Sequence, residues 1–274
     1  MKQTVDNTQI SEMSFWEHLD VFRASLIKIV ITTILCGIVA FLFKEEVFSI
    51  ILAPKSDAFI TYRLFNHIAE WTTSASKSAF SVQLINTGLA EQFVIHMKIS
   101  IYIGFLLSSP YILYLLFHFI SPALYENERK YSLRVIVSGY MMFILGIALS
   151  YFLIFPLTFR FLGTYQVSGD VENMITLQSY IETLMMLCLL MGIVFELPIV
   201  CWLLAKLGVM SSQFMRNFRK HAIIVILIIS AIITPTSDIL TLTLVALPIW
   251  ILYEISILII GQSEKRNNCN NLCI

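Results

Sequence analysis

One carboxylate lies inside a long apolar stretch of the sequence. Between Leu184 and Ala205, 22 residues contain a single charged side chain, that of Glu196, near the middle. Apolar segments of about 20 residues are typical of membrane-spanning helices, so Glu196 is predicted to lie near the centre of the bilayer. A carboxylate at that depth costs about 2.5 to 3.5 kcal/mol on insertion scales and is kept mainly where it faces protein or water. Glu196 is therefore a candidate functional residue.

Two roles are open for this carboxylate. It binds a polar group within the membrane, or it is protonated or hydrogen-bonded to a neighbouring helix as part of the packing. Pro198 follows two residues later and removes one backbone donor, so the helix is predicted to kink beside Glu196.

Few patterns in the sequence support catalysis. There is no Gly-x-x-x-x-Gly-Lys-Ser/Thr phosphate loop and no His-Glu-x-x-His zinc motif. The five histidines lie mostly near the ends of apolar segments, where solvated side chains are the expected explanation. Cys269 and Cys273 form a Cys-x-x-x-Cys pair without a nearby histidine, which is weak evidence for a metal. We expect no enzyme, no metal site and no cofactor.

Two short segments combine carboxylates with aromatic and basic residues. Phe15–Arg23 has the sequence Phe-Trp-Glu-His-Leu-Asp-Val-Phe-Arg, and Phe119–Lys130 has the sequence Phe-Ile-Ser-Pro-Ala-Leu-Tyr-Glu-Asn-Glu-Arg-Lys. Carboxylates in these positions are candidates for binding cationic groups. The alternative is that Glu126 and Glu128 pair with the basic residues of 129–134 at a helix start.

The composition indicates an integral membrane protein. Of the 274 residues, 58% are hydrophobic and 13% are charged, and the mean hydropathy is +0.81. A soluble domain needs a far more polar surface than this composition provides. The 18 basic and 18 acidic residues cancel, so no positive field favours nucleic acid as a partner. The predicted fold is an all-α, polytopic membrane protein.

Six apolar segments are predicted to span the membrane. They cover Leu26–Phe43, Ile99–Phe117, Val135–Phe159, Leu184–Ala205, Ala222–Ile233 and Ile239–Ile260. The fifth is too short for a hydrocarbon core of about 30 Å, so the bilayer thins there, flanking residues are drawn in, or the helix does not cross alone. We expect one membrane domain, with an N-terminal segment 1–25, a six-helix bundle 26–260 and a polar tail 261–274.

The distribution of Lys and Arg predicts the orientation. The N-terminus to Lys28, the segments 118–134 and 206–220, and the tail carry 12 of the 18 basic residues. This excess places both termini in the cytoplasm. The opposite side then holds the long segment 44–92, whose mixed aromatic and polar residues suit short amphipathic helices at the membrane surface or an ordinary covering loop. The N-terminal twenty residues lack an apolar core, so no cleavable signal peptide is expected.

Five motifs, in order along nearly the whole chain, resemble the TatC family, the six-span receptor subunit of the twin-arginine protein translocase. They are Ser-Pro-Ala-Leu-Tyr-x-x-Glu-Arg-Lys at 121–130, Phe-Glu-Leu-Pro at 195–198, Thr-Pro followed by Asp238, Ala-Leu-Pro at 246–248 and Tyr-Glu-Ile at 253–255. Glu91-x-Phe93 with Lys98 is also similar to the family pattern.

The resemblance implies a curved, cup-like bundle of six helices whose last two are short. It also implies a cell-membrane receptor that binds signal peptides with paired arginines and works with single-span TatA/TatB-type subunits and further TatC-type copies. The complex would export folded proteins using the protonmotive force. A different class, a proton- or ion-coupled solute transporter using Glu196, would need several helices to bring polar residues to that carboxylate. The first three spans supply few beyond Thr32, Thr33, Ser108 and Ser109.

The resemblance assigns roles residue by residue. Glu128 matches the loop glutamate implicated in recognising the arginines, and Phe119 matches a phenylalanine of the same region. Glu196 matches the intramembrane glutamate, expected to dock a partner helix, and Asp238 matches an acidic residue in the outer turn. Further matched positions are Pro122, Leu124, Tyr125, Arg129, Pro198 and Glu254.

One position departs from the family pattern. His-Leu-x-Glu-Leu-Arg usually precedes the first span, whereas this chain has His18-Leu19-Asp20-Val21-Phe22-Arg23, so valine replaces the glutamate. Arg23 keeps the arginine of the motif. Paired guanidiniums need carboxylate acceptors. Asp20 is adjacent to Val21 and Glu17 lies one helical turn earlier, so these two are predicted to compensate.

Overall fold

The computed structural model describes residues 15–64, 67, 83–120, 132–165, 173–234 and 238–272. The labelled helices are α1 (Phe15–Leu42), α2 (Lys44–Leu52), α3 (Glu91–Ile120), α4 (Ser132–Leu149), α5 (Phe155–Thr164), α6 (Leu177–Val194), α7 (Leu197–Lys206), α8 (Ser212–Asn217), α9 (Arg219–Ile233) and α10 (Ile239–Leu272). A π-helical turn, Ser150–Ile154, joins α4 to α5, and Ala53–Lys55 form a 3₁₀ turn. Two-residue strands, β1 (Leu84–Ile85) and β2 (Ile175–Thr176), pair in parallel. The all-α prediction is confirmed apart from this short pair.

Within the described residues, five helical segments are long and apolar enough to span a membrane. They are Leu19–Leu42, Glu91–Phe119, Leu133–Thr164, Leu177–Lys206 and Ile239–Glu264. Each overlaps one of the predicted apolar segments. The predicted fifth segment lies in α9, whose 15 residues rise about 22 Å at 1.5 Å per residue. The sixth span therefore stays a prediction for α9.

The last helix corrects two expectations. α10 has 34 residues, so only α9 of the final two helices is short. The helix also continues through most of the predicted tail, as far as Leu272. Glu264 contributes to this extension, because its carboxylate accepts bonds from the backbone N–H and the hydroxyl of Ser212 at the start of α8. The polar residues after Gly261 are thus helical in the structure.

α1 and α3 pack closely against each other. A side chain added at Gly104 would place its Cβ 2.5 Å from the Thr33 carbonyl oxygen and 2.6 Å from the Gly37 nitrogen, so the two backbones meet there. The Thr33 and Ser108 hydroxyls are 3.1 Å apart across the same interface. Small residues and hydroxyl pairs are the usual means by which helices associate in membranes.

The turn at Ser150–Ile154 has an identifiable cause. Pro156 lacks an N–H and cannot donate to the Phe152 carbonyl, as an ordinary residue at that position would. The Thr61 hydroxyl donates to the Phe152 carbonyl instead. One residue further along, the Tyr62 hydroxyl donates to the Pro156 carbonyl at 3.0 Å. Burial raises the pKa of Tyr62 above its ordinary value, so this hydroxyl remains a donor.

The described part of the predicted outer segment packs on the bundle. In α2, Val47 and Ile51 are buried against the main core. The Tyr180 hydroxyl donates to the Ile51 carbonyl at 3.0 Å, which satisfies an acceptor in the last turn of that helix. Phe59 is buried too, and its ring stacks on that of Phe152. The predicted amphipathic helix is thus present in α2, and its apolar side faces protein.

Candidate functional site

The predicted residues near the first span lie beside the end of α3. The rings of Phe22 and Phe119 are 5.3 Å apart, which brings the N-terminal end of α1 against the C-terminal end of α3. Asp20 and Arg23 are exposed within one turn of Phe22. Three of the predicted site residues, Asp20, Arg23 and Phe119, therefore lie at the same end of this helix pair, which we call the α1–α3 end.

Other predicted members of this site are only partly described. Glu17 lies in the first turn of α1. The matched positions of the following loop lie outside the described residues; these are Pro122, Leu124, Tyr125, Glu128 and Arg129. That loop starts directly after Phe119 and Ile120 and ends where α4 begins. Both of its attachment points are thus helix termini.

The second predicted site coincides with a break in the fourth span. α6 ends at Val194 and α7 begins at Leu197, so Phe195 and Glu196 form a turn between them. Pro198, which is buried, occupies the first turn of α7, where its missing N–H costs nothing. The predicted kink beside the carboxylate is confirmed.

Glu196 borders an apolar cavity of about 330 Å³. Its walls come from α3, α4 and both halves of the broken span. One carboxylate oxygen, Oε1, is buried and makes no hydrogen bond to any described residue. The other, Oε2, faces Gly139, where an added Cβ would lie 3.2 Å away. The glycine thus leaves an open approach to a half-buried acceptor.

The polar surroundings of this cavity are sparse. Ser109 lines it, but its hydroxyl donates to the Leu106 carbonyl at 2.7 Å. Thr33 and Ser108 bond to each other, and the Thr32 hydroxyl donates to a carbonyl of its own helix. The convergence of polar groups that a solute transporter needs is absent from the described residues. An unsatisfied buried acceptor costs about 1 to 3 kcal/mol, so a donor entering the cavity would relieve that cost.

The remaining matched acidic residues bond within the protein. Asp238 Oδ2 accepts from the Thr241 N–H at 2.7 Å and caps the start of α10. Glu254 pairs with Arg219 at 2.7 Å on the protein surface. Glu91 Oε2 accepts from the Gly88 N–H at 2.7 Å. These contacts show structural roles for the three side chains.

Lys98, a further residue of the matched motifs, forms a salt bridge between two helices. Lys98 pairs with Glu182 at 2.6 Å and joins α3 to α6.

Gly139 was not predicted as a site residue. The sequence shows only that Gly139 is a small residue in a spanning segment. Small residues there indicate close helix packing, but they do not reveal that Glu196 faces this position.

The fold and these two sites define a helical, polytopic membrane protein with a polar surface at one helix end and a carboxylate, Glu196, that faces a cavity within its spans. Residues 17–248 match the family model of the Sec-independent protein translocase protein TatC. The chain belongs to the TatC family and is a component of the twin-arginine translocase.

Relatives and solved structures cover nearly the full length. The TatC protein of Blattabacterium sp. subsp. Periplaneta americana is 37% identical over 261 residues, which are 93% of this chain and 98% of the relative. That of Aquifex aeolicus is 34% identical, with 89% of this chain and 93% of the relative covered. A crystal structure described as the twin-arginine translocase receptor TatC superposes with a TM-score of 0.72 at 32% identity, covering 90% of this chain and 100% of the other.

Proposed function

We propose that this chain is the receptor subunit that binds twin-arginine signal peptides at the α1–α3 end. The observation that carries the proposal is the contact between Phe22 and Phe119, because it brings the end of α1 that carries Asp20 and Arg23 to the end of α3, directly before the segment that contains Glu128. Two solved structures with a similar fold are described as receptors of the twin-arginine translocase, which supports this role.

Charge complementarity explains how such a surface recognises paired arginines. Each guanidinium presents a planar fork of N–H donors that suits a carboxylate. Glu128 supplies one acceptor, and Asp20 or Glu17 supplies the second in place of the family glutamate at Val21. Phe119 offers an aromatic face to the peptide next to these charges.

The same proposal includes an orientation. The basic excess of the N-terminal segment, of segments 118–134 and 206–220 and of the tail places both termini in the cytoplasm. The chain would then lie in the cytoplasmic membrane, with the α1–α3 end facing the compartment where precursor proteins fold.

Glu196 has a separate role in the proposal. Its cavity is lined by spanning helices and opens to the outside of the bundle, since Leu116, Ile193 and Val200 are exposed. A polar side chain from the membrane helix of a small TatA/TatB-type subunit would therefore reach it without leaving the bilayer. A peptide arginine from the cytoplasm would have to cross about half the bilayer. Further partners in the proposal are other TatC-type copies and the lipid around them. Export of folded proteins would then be driven by the protonmotive force without nucleotide.

The test of the receptor role is the change Glu128→Gln, which keeps the shape of the side chain and removes its charge. A charge-assisted hydrogen bond contributes about 1.5 to 3 kcal/mol, so binding of a twin-arginine peptide should weaken roughly tenfold or more. Crosslinking of a labelled peptide to membranes that contain the variant measures the loss.

Glu126→Gln is the matched control, since it removes the same charge two residues away in the same loop. We expect it to bind peptide normally. Undiminished crosslinking of Glu128→Gln at normal protein level would remove Glu128 from the binding site.

A further inference from the structure

A second groove lies on the surface between α4, α7 and α10. It has a volume of about 280 Å³. Its lining residues are Arg134, Val135, Ser138, Pro198, Ile199, Trp202 and Ile259. Val135 and Ile199 also line the cavity beside Glu196, so these two apolar side chains lie between the groove and that cavity. The groove itself is open to the outside of the bundle, since Ser138 and Ile259 are exposed.

Arg134 and Trp202 line this groove, and a second basic side chain, Lys206, lies next to Trp202. Arg134 lies in the first turn of α4, and Lys206 is the last residue of α7. The Lys206 ammonium lies 5.9 Å from the centre of the Trp202 ring. None of the lining residues that the structure describes is acidic. The groove therefore carries positive charge beside Arg134 and Trp202.

The rest of the groove is apolar and lies within spanning segments. Val135, Pro198 and Ile259 belong to three of the five segments that are long enough to cross a membrane. A tryptophan beside basic residues in such a groove is typical of the boundary between acyl chains and headgroups. Basic pockets between helices at this depth bind acidic lipid headgroups.

We propose that the groove binds one anionic phospholipid of the surrounding leaflet. The phosphate accepts hydrogen bonds from Arg134 and Lys206, the Trp202 indole lies at the headgroup boundary, and one acyl chain follows Pro198 and Ile259. Arg134 and Lys206 each have another interaction partner already. The five N–H donors of a guanidinium and the three of an ammonium allow them to bind phosphate in addition.

The first experiment uses Trp202 as a reporter. A variant with Trp16, Trp71 and Trp250 changed to Phe is placed in phosphatidylcholine bilayers, and its fluorescence is quenched with brominated phosphatidylglycerol or brominated phosphatidylcholine. We expect quenching by the anionic lipid to saturate at a lower mole fraction than quenching by the neutral lipid. Equal quenching by both lipids would overturn the proposal.

The second experiment removes the charges. Each of Arg134→Gln and Lys206→Gln should weaken the apparent affinity for phosphatidylglycerol about fivefold, because a basic group near an acidic membrane surface contributes about that factor. Lys28→Gln is the matched control, since it removes one basic charge near the same face from a different helix, α1, and should leave the affinity unchanged. Equal losses in all three variants would show a general surface field and overturn the specific site.

A third variant keeps the charges and fills the groove. Ser138→Phe places a large ring among the apolar lining residues and should also weaken phosphatidylglycerol binding. It keeps the proposal testable if a charge variant does not fold. Unchanged binding in this variant would exclude the groove as the position of the acyl chain. None of these measurements needs a signal peptide, so their failure is distinct from failure of the receptor role.

Discussion

Glu196 places an unpaired carboxylate oxygen beside a cavity, and its replacement by two different residues tests what enters there. Hydrogen bonds inside membranes average about 0.6 kcal/mol and reach about 1.7 kcal/mol. Glu196→Gln, which still bonds, should keep most of the crosslinking to a single-span partner, whereas Glu196→Ala should lose several-fold. Site-specific crosslinking from the cavity wall measures the contact, and twin-arginine peptide binding is followed on the same membranes.

Peptide binding should survive both changes if the carboxylate docks a partner. If Glu196→Ala abolishes peptide binding while partner crosslinks from neighbouring spans stay intact, the carboxylate belongs to the peptide path instead.

Gly139 gives a second test of the same cavity without touching the carboxylate. A Cβ at this position would lie 3.2 Å from Glu196 Oε2, so Gly139→Ala shifts the carboxylate by a few tenths of an ångström and narrows its approach. We expect partner crosslinking to fall several-fold with little change in protein level. Gly261→Ala is the matched control, because the nearest atom to its Cβ would be 3.7 Å away. Equal crosslinking in the two variants would contradict the role of Gly139.

The residue-scale predictions from sequence succeeded where chain position alone was decisive. Pro198 stands two residues after Glu196 in a long apolar run, so the break beside the carboxylate follows from the local sequence. The depth of Glu196 in the bilayer stays a prediction. The open approach past Gly139 depends on which helix packs against Glu196. No local pattern carries that information, and it became visible only in the fold.

At the scale of single elements, the spans follow from hydropathy but their interruptions do not. The turn at Ser150–Ile154 depends on a proline that the sequence shows and on a hydroxyl 91 residues away that replaces the missing donor. The extension of α10 could not be predicted from the sequence for a similar reason. Its polar residues resemble a tail, and the contact of Glu264 with Ser212 is tertiary.

At the scale of single elements, the packing of α1 on α3 is sensitive to a single substitution. Gly104→Ala would force its Cβ to within 2.7 Å of backbone atoms of α1, which cannot rotate away as a side chain does. Overpacking of this kind typically costs about 1 to 3 kcal/mol. We expect a lower unfolding temperature in detergent together with weaker twin-arginine peptide binding, since the pair positions Phe22 and Phe119.

Gly261→Ala serves as the control for this change, because the nearest atom to its Cβ would lie at 3.7 Å, an ordinary van der Waals distance. Its unfolding temperature should stay close to that of the parent protein. Normal stability and normal peptide binding in Gly104→Ala would contradict the close packing of α1 on α3.

At the scale of the whole molecule, the segment after α2 connects distant parts of the chain, because Thr61 and Tyr62 donate to the carbonyls of Phe152 and Pro156. Thr61→Val keeps the shape of the side chain but leaves the Phe152 carbonyl without its hydroxyl donor. This hydrogen bond is partly buried, and the net contribution of such a bond is about 1 kcal/mol, so the free energy of unfolding should fall by about that amount. Denaturant unfolding in detergent measures it.

Thr32→Val is the comparison for this prediction. The Thr32 hydroxyl donates to the Lys28 carbonyl, which can still accept the usual bond of an α-helix after the change. We expect little loss of stability. If Thr32→Val lowers the free energy of unfolding as much as Thr61→Val does, the hydrogen bond to Phe152 contributes no more to stability than the bond within α1.

The tight contact between α1 and α3 also has a thermodynamic consequence for recognition. Ordering a mobile side chain on association costs about 0.5 to 1.5 kcal/mol, and ordering whole segments costs more. Folding has already brought the backbones of these helices together at Gly37 and Gly104 and paired the rings of Phe22 and Phe119. The helical side of the surface is therefore preorganised, so in the proposed receptor role a flexible signal peptide would bear most of the entropy loss on binding.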